Sequence, residues 1–503
     1  MSSSLVALYQ RDLAPANTDD GPFATLLSRE AVLAQLSEPR AFDLVVVGGG
    51  CMGALAARDA ALHGLRVLIL ETGFFGERSE RWRDSFLRAL RQPAPAIVRA
   101  AFALKAVSRT LLGDLAQRTP QDSGLTVGAG GNFRLWLLRK LWSGSLARGN
   151  QRGVPDVDEL LLNRELVLAA RQEGALALSM AEPSYVERDT DDGGYRVGVK
   201  DLLAGENQEV KAACVFVDPT CSVPLASRLG TQLVPARSPD SPTVVSVCAV
   251  IPTNVLSGEP LISLELSDGS VAVISKIAEG VVEITLHFVA SIPVELNLTS
   301  LIMEACREAG WTLREEISRV KTGRRFASRA GLGERKGLFV AFESRPWDLQ
   351  NVASKGLSKI LSHIGWDGNR LKGRLERTLP GAERACEISA FRALARTAGV
   401  SEYTIELVVQ RWRGRVRYLD CFDNGLEEVC PGVLRGEIAL AIASDQVATL
   451  DDLVFGSLRL HYLPQWMQRV PLLARELEKT GRFSERALAI ERVVTRGAPP
   501  TTV

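Results

Sequence analysis

One stretch constrains this chain more than any other: DLVVVGGGCMGALAARDAALHGLRVLILE, residues 43 to 71. FDLVVV is a continuous apolar run, the mark of a strand covered on both faces, and RVLILE is a second. Between them an Ala-rich segment ends at Gly64, as a helix does at its C-terminus. Strand, glycine turn, helix and strand make a βαβ unit. The turn Gly48-Gly49-Gly50-Cys51-Met52-Gly53 has the GxGxxG spacing of a dinucleotide fingerprint. Gly48 permits the tight turn, Gly50 lets backbone N–H groups approach a pyrophosphate, and Gly53 lets the helix pack close to the strand. Phosphate charge is favoured at a helix N-terminus. Glu71 ends the second strand, where a carboxylate accepts from both ribose hydroxyls, and Thr72 follows it. Gly48, Gly49, Gly50, Cys51, Met52, Gly53, Glu71 and Thr72 are therefore the candidate cofactor residues, with Cys51 a small filler beneath the phosphates.

At 503 residues and 46% hydrophobic, the chain is long enough for several domains around a large core. Sixty basic and 59 acidic residues leave a net charge of +1, so no global field recruits nucleic acid. Eight scattered cysteines contain no CxxC pair, which predicts reduced thiols and a cytoplasmic setting. The four histidines form no HxxxH or HxH pair, and no metal site is expected. MSSSLVALYQRDLAP lacks the pattern of a secretory leader, and no run of about 18 apolar residues occurs.

Composition divides the chain. Residues 1–40 read as an N-terminal extension with one helix in FATLLSREAVLAQL, and 41–235 as the first part of the dinucleotide-binding domain. DVDELLLNRELVLAARQE has helical spacing, and YRVGVKDLL and QEVKAACVFV resemble an antiparallel pair. Residues 236–320 alternate apolar runs with turn signals such as SDGS, predicting a β-rich layer; 321–370 return to the first domain; 371–503 read as helical, including GEIALAIASDQVATLDDLVFGSL. The fold class expected is α/β: a Rossmann-like domain, a β-rich substrate layer and an α-helical C-terminal domain. Gly128-Ala129-Gly130-Gly131 reads as a loop. Arg–Trp stretches recur in RWRDSF, RLWLLRKLW and QRWRGRVRY; they suit either anionic lipid headgroups or cation–π packing at domain and subunit contacts.

GALAARDAALHGLRVLILE, with Ala57-Arg58-Asp59-Ala60-Ala61, resembles the FAD-dependent glycerol-3-phosphate dehydrogenase family, whose first helix carries an ARDAA-type run. PDVDELLLNRELVLAARQEGA and GEIALAIASDQVATLDDLVFGSLRL resemble two further signatures of that family. The resemblance implies FAD as cofactor and a flavin domain, substrate layer and helical domain in this order. It also marks departures. The loop after Glu71 is GFFGERSERWRDSFLRAL where the family has a Ser/Thr-rich loop ending in His-Gly-Gly. Val217-Asp218-Pro219-Thr220 stands where the family has Ala-Thr-Gly, and Pro219 removes an N–H donor. Glu343-Ser344-Arg345 replaces Gly-Gly-Lys, and DSPTVV lacks the family's histidine.

Arg325 corresponds to the family's phosphate-gripping arginine, Arg329 to a second, and Arg345 to the lysine. Three guanidinium forks on neighbouring loops would suit a small phosphorylated or carboxylated substrate. His287 and Glu343 are the candidate bases, Glu343 because desolvation raises a carboxyl's pKa. The expected protein is an FAD-dependent oxidoreductase of a small anion, in the cytoplasm or at the inner face of a membrane, with no nucleic-acid partner. A homo-oligomer and a paralogous partner subunit stay open, as does the alternative of a catalytically degenerate subunit with a structural or regulatory role.

Overall fold

The computed structural model describes residue 23 and residues 26–38, 41–77, 159–189, 193–219, 221, 331–342, 349–366, 379–381, 385–463, 465–485, 487–490 and 493. It also gives the backbone course of five strands between 243 and 324. The chain enters through helix α1 (Arg29–Leu36), capped by Ser28. Strand β1 (Phe42–Val47), helix α2 (Cys51–Leu62) and strand β2 (Val67–Leu70) then form the expected βαβ unit. Helix α3 (Glu159–Gln172) leads to β3 (Leu176–Leu178), β4 (Ala181–Arg188), β5 (Tyr195–Asp201) and the long β6 (Asn207–Val217).

β1 runs parallel to β2 on one side and to β6 on the other, with Val47 level with Leu70 and Val217. From β1 the sheet grows outward through β2 to β3, and in the opposite direction through β6. The carboxyl end of β1 is therefore a topological switch point, where open α/β sheets bind ligands. The first half of β6 pairs antiparallel with β5; its second half joins the parallel sheet. One strand thus serves both the predicted antiparallel element and the dinucleotide fold.

A second sheet has the order β11-β7-β10-β9-β8, from β7 (Thr243–Val250), β8 (Leu261–Glu265), β9 (Val271–Ala278), β10 (Val281–His287) and β11 (Ile317–Arg324). All its pairings are antiparallel. The chain then re-enters the first sheet through β12 (Gly331–Arg335) and β13 (Leu338–Phe342), which pairs parallel with β6. Helix α4 (Leu349–His363) follows and packs on α2.

All twelve residues of α2 are buried, because the sheet, α3 and α4 enclose it. Alanine at positions 54, 56, 57, 60 and 61 lets these neighbours approach closely. Two charges are enclosed as well: the Arg58 Nη1 lies 3.1 Å from the Asp59 carboxylate. Burial pushes the Asp59 carboxyl from the usual 3.8 up to about 6, against the pull of Arg58 and His63. Between those two values the folded state holds more protons than the unfolded one. Asp59 therefore contributes stability that is complete below pH 3.8 and is lost as pH rises through about 6. The loss is on the order of 3 kcal/mol. Asp59→Asn is expected to flatten that slope in urea unfolding series between pH 4 and 6.5; an unchanged slope would assign it to other groups.

The C-terminal part has its own core around Trp412, Phe455 and Leu453. The sequence reads GEIALAIASDQVATLDDLVFGSL as helical, and the structure breaks it. A short helix (Arg435–Leu440) passes into a π-helix (Ala441–Asp445), stops at left-handed Gln446, and resumes as a second π-helix (Asp452–Ser457). The reason is local satisfaction of backbone groups: Asp452 accepts from the Ala448 N–H, and Thr449 Oγ1 accepts from the Asp452 N–H. Asp445, at the end of the first π-helix, has its ion-pair partner Arg164 on α3 and another in Arg415.

Those partners explain two of the segments that carry the family resemblance. Arg164 of α3 pairs with Asp445 and donates to the Gly456 carbonyl at 2.8 Å. Glu165 pairs with Arg415 at 2.7 Å and accepts from the Gly381 N–H. Arg164 and Arg415 both lie over the Trp412 ring, at 5.3 and 4.8 Å from its centroid. The Arg–Trp stretch QRWRGRVRY is thus used inside the protein, between the two cores. RWRDSF, RLWLLRKLW and the loop Gly128–Gly131 lie outside the described residues.

Candidate dinucleotide site

The site sits at the carboxyl end of β1. Gly48 has φ +95°, a conformation that favours glycine, and a Cβ there would press on Asp218 and Cys221. At Gly53 a Cβ would meet the Gly48 carbonyl at 2.3 Å, so the third glycine is what lets α2 start this close to β1. Gly50 is the N-cap of α2 without a side-chain cap of its own. The first intrahelical bond runs from the Ala54 N–H to the Gly50 carbonyl, which leaves the preceding N–H groups without helical acceptors.

Glu71 is buried, and its carboxylate spans the turn: Oε2 accepts from the Gly49 N–H at 2.7 Å, Oε1 from the Gly73 N–H at 3.2 Å. A carboxylate oxygen has two lone pairs and can accept more than one hydrogen bond. Thr72 is half-buried beside it. Phe75 packs against Gly49, where a Cβ would lie 2.6 Å from its ring. Cys51 is buried at the first turn of α2 with its thiol 3.4 Å from the Glu159 carbonyl, and Met52 is buried next to it.

Two residues that sequence reasoning did not select belong to the same site. Asn163 of α3 is fully buried and donates through Nδ2 to the Gly49 carbonyl, while its Oδ1 is buried without a hydrogen-bond donor. Its signal was only an amide amid the charges of NRE. Asp218, one residue beyond β6, is buried with its carboxylate against the turn. Its Oδ2 accepts from the Gly53 N–H at 2.7 Å, and a Cβ on Gly50 would lie 2.5 Å from Oδ1. In VDPT Pro219 lacks a donor, and the acid beside it makes the contact.

These features fit the adenine and ribose end of FAD: a glycine turn at a switch point, a buried acid across it, and a buried amide oxygen lacking a donor. Of the other sequence candidates, His287 ends β10, level with Val244 and Val271 in the second sheet. Arg325, Arg329, Glu343 and Arg345 lie outside the described residues. Among the described residues no group of three or more His, Cys, Asp and Glu could hold a metal ion, and no helix is long and apolar enough to cross a membrane.

Comparison with known proteins shows what this region is similar to. Residues 43–200 match the model of the FAD dependent oxidoreductases. A probable glycerol-3-phosphate dehydrogenase of Encephalitozoon cuniculi (strain GB-M1) is 51% identical over 49 residues, 10% of this chain and 8% of that protein. The glycerol-3-phosphate dehydrogenase of Bacillus halodurans, solved as a complex with FAD, has the same fold with a TM-score of 0.64 at 14% identity, over 94% of this chain and 98% of that one. Glycine oxidase from Geobacillus kaustophilus is more distant, with a TM-score of 0.42 and 16% identity over 65% of this chain and 96% of its own. With the family model matching its dinucleotide unit and the dehydrogenase fold spanning nearly its whole length, the chain is similar to the FAD dependent oxidoreductases over residues 43–200 and has the fold of a glycerol-3-phosphate dehydrogenase.

Proposed function

We propose that the protein is an FAD-dependent oxidoreductase acting on a small phosphorylated or carboxylated substrate. The observation that carries this reading is the intact glycine turn at the switch point, with the Glu71 carboxylate buried across it. Gly48 to Gly53, Glu71 and Thr72 would hold the adenine end. FAD, when bound, supplies a two-electron acceptor for hydride. Arg325, Arg329 and Arg345 would bind the substrate's anionic group through bidentate hydrogen bonds, and that positioning sets which carbon is presented. His287 or Glu343 would take the proton from the oxidised group. The resemblance to the dehydrogenase family supports the assignment of the three arginines.

The purified protein is expected to carry flavin absorbance bands, bleached anaerobically by a small phosphorylated or carboxylated alcohol or amine. A colourless protein that takes up no added FAD would remove the reading. With flavin bound, the Arg325→Ala, Arg345→Ala pair should raise KM for the anionic substrate with a smaller effect on kcat. Unchanged kinetics would remove the anion site while leaving the flavin.

A further inference from the structure

The second glycine of a dinucleotide turn lacks a side chain so that the pyrophosphate can come against the backbone. In this protein that clearance contains a carboxylate. A Cβ on Gly50 would lie 2.5 Å from Asp218 Oδ1, and a Cβ on Gly48 2.8 Å from the Asp218 Cβ. Asp218 Oδ2 takes the Gly53 N–H, one of the donors that the start of α2 leaves without a helical acceptor. The negative charge also lies in the positive field of the helix start, the field that favours a phosphate there.

We propose that Asp218 is an internal competitor for the pyrophosphate of FAD, and sets how tightly this chain holds its cofactor. The inference rests on the FAD reading above. The Asp218 backbone is fixed: its N–H donates to the Val47 carbonyl at 2.8 Å, and its own carbonyl accepts from the Cys221 N–H at 2.9 Å. The strand cannot withdraw, so the side chain must swing out of the clearance. Two effects then lower FAD affinity. The Gly53 N–H loses a charge-assisted bond, and a carboxylate is left near a diphosphate of the same sign at low dielectric. FAD binds the displaced form alone, so apparent affinity falls with the fraction displaced. Asp218 correspondingly stabilises the FAD-free protein.

The test uses the full chain stripped of flavin, with Asp218→Asn, which keeps an acceptor without charge, and Asp218→Ser, which clears the space. FAD is titrated by quenching of its fluorescence, and ADP and adenosine by calorimetry. Both variants are expected to bind FAD and ADP at least about tenfold tighter than the unaltered protein, with adenosine, which carries no phosphate, unchanged. Both should melt several degrees lower without FAD and gain more from saturating FAD. FAD affinity that is equal or weaker in the variants overturns the proposal and leaves the FAD reading standing. An equal gain for adenosine also overturns it, since the phosphate would not be the group in competition. If neither the unaltered protein nor the variants bind FAD, the cofactor reading falls and this inference with it.

Discussion

Replacing Arg415 with methionine is expected to destabilise the protein by about 3 to 5 kcal/mol. The guanidinium is fully buried and lies 2.7 Å from both Glu165 and Asp445, with Ser444 Oγ at 2.9 Å. It also lies over the Trp412 ring, which Arg164 contacts as well. Burial alone disfavours its charge and lowers its pKa, and Glu165 beside it opposes that shift. Removing it leaves two carboxylates in a dry interior with one partner, Arg164, between them. That uncompensated charge, more than the lost attraction, sets the size of the effect. Urea unfolding of the single variant, of Glu165→Gln and of the double variant measures it. The double variant should cost less than the sum, because the second change removes a charge that the first has stranded. Strict additivity would show that the two side chains do not depend on each other.

Glu71→Ala is expected to weaken FAD binding roughly 10- to 100-fold, and to destabilise the FAD-free protein by about 2 to 4 kcal/mol. The first effect is loss of the ribose acceptor. The second arises because the carboxylate also serves the Gly49 and Gly73 N–H groups, so its removal leaves two donors in a buried turn without an acceptor. Glu71→Gln separates the two: its amide oxygen still accepts from Gly49, so stability should largely return while FAD affinity stays low. Fluorescence titration and thermal unfolding of the same samples provide the readouts. A Glu71→Ala protein that binds FAD normally would exclude this carboxylate from the cofactor site.

The difference between these residues explains what the sequence could reveal. Glu71 is readable because its bond to the Gly49 N–H lies within one βαβ unit and its position obeys a spacing rule. Asp218 meets Gly53 across 165 residues, through the parallel pairing of β6 with β1. Neither the order of the strands nor that pairing is encoded in a local pattern. The same holds for Arg164 and Glu165. On an isolated amphipathic helix an Arg-Glu pair belongs to the solvent face; here a second layer, from the C-terminal region, covers that face and supplies opposite charges. The apolar alternation in residues 243–287 gives the strands of the second sheet but not its order, since β7 pairs with β10 and β11 rather than with β8. The break at Gln446 is set by side chains of the ion cluster and by Asp452, which propensity does not see.

An ordinary amphipathic helix keeps half of its positions in water, and there substitutions accumulate at little cost. Helix α2 has no such half, since each of its positions touches the sheet or another helix. Every substitution in it is a packing problem, and at five of its twelve positions the volume available is that of a methyl group. Such a segment records descent by constraint, independently of whether the chemistry nearby is retained. Its family likeness and its cofactor affinity are therefore separable properties: α2 carries the former, and the latter turns on the carboxylate at its tip.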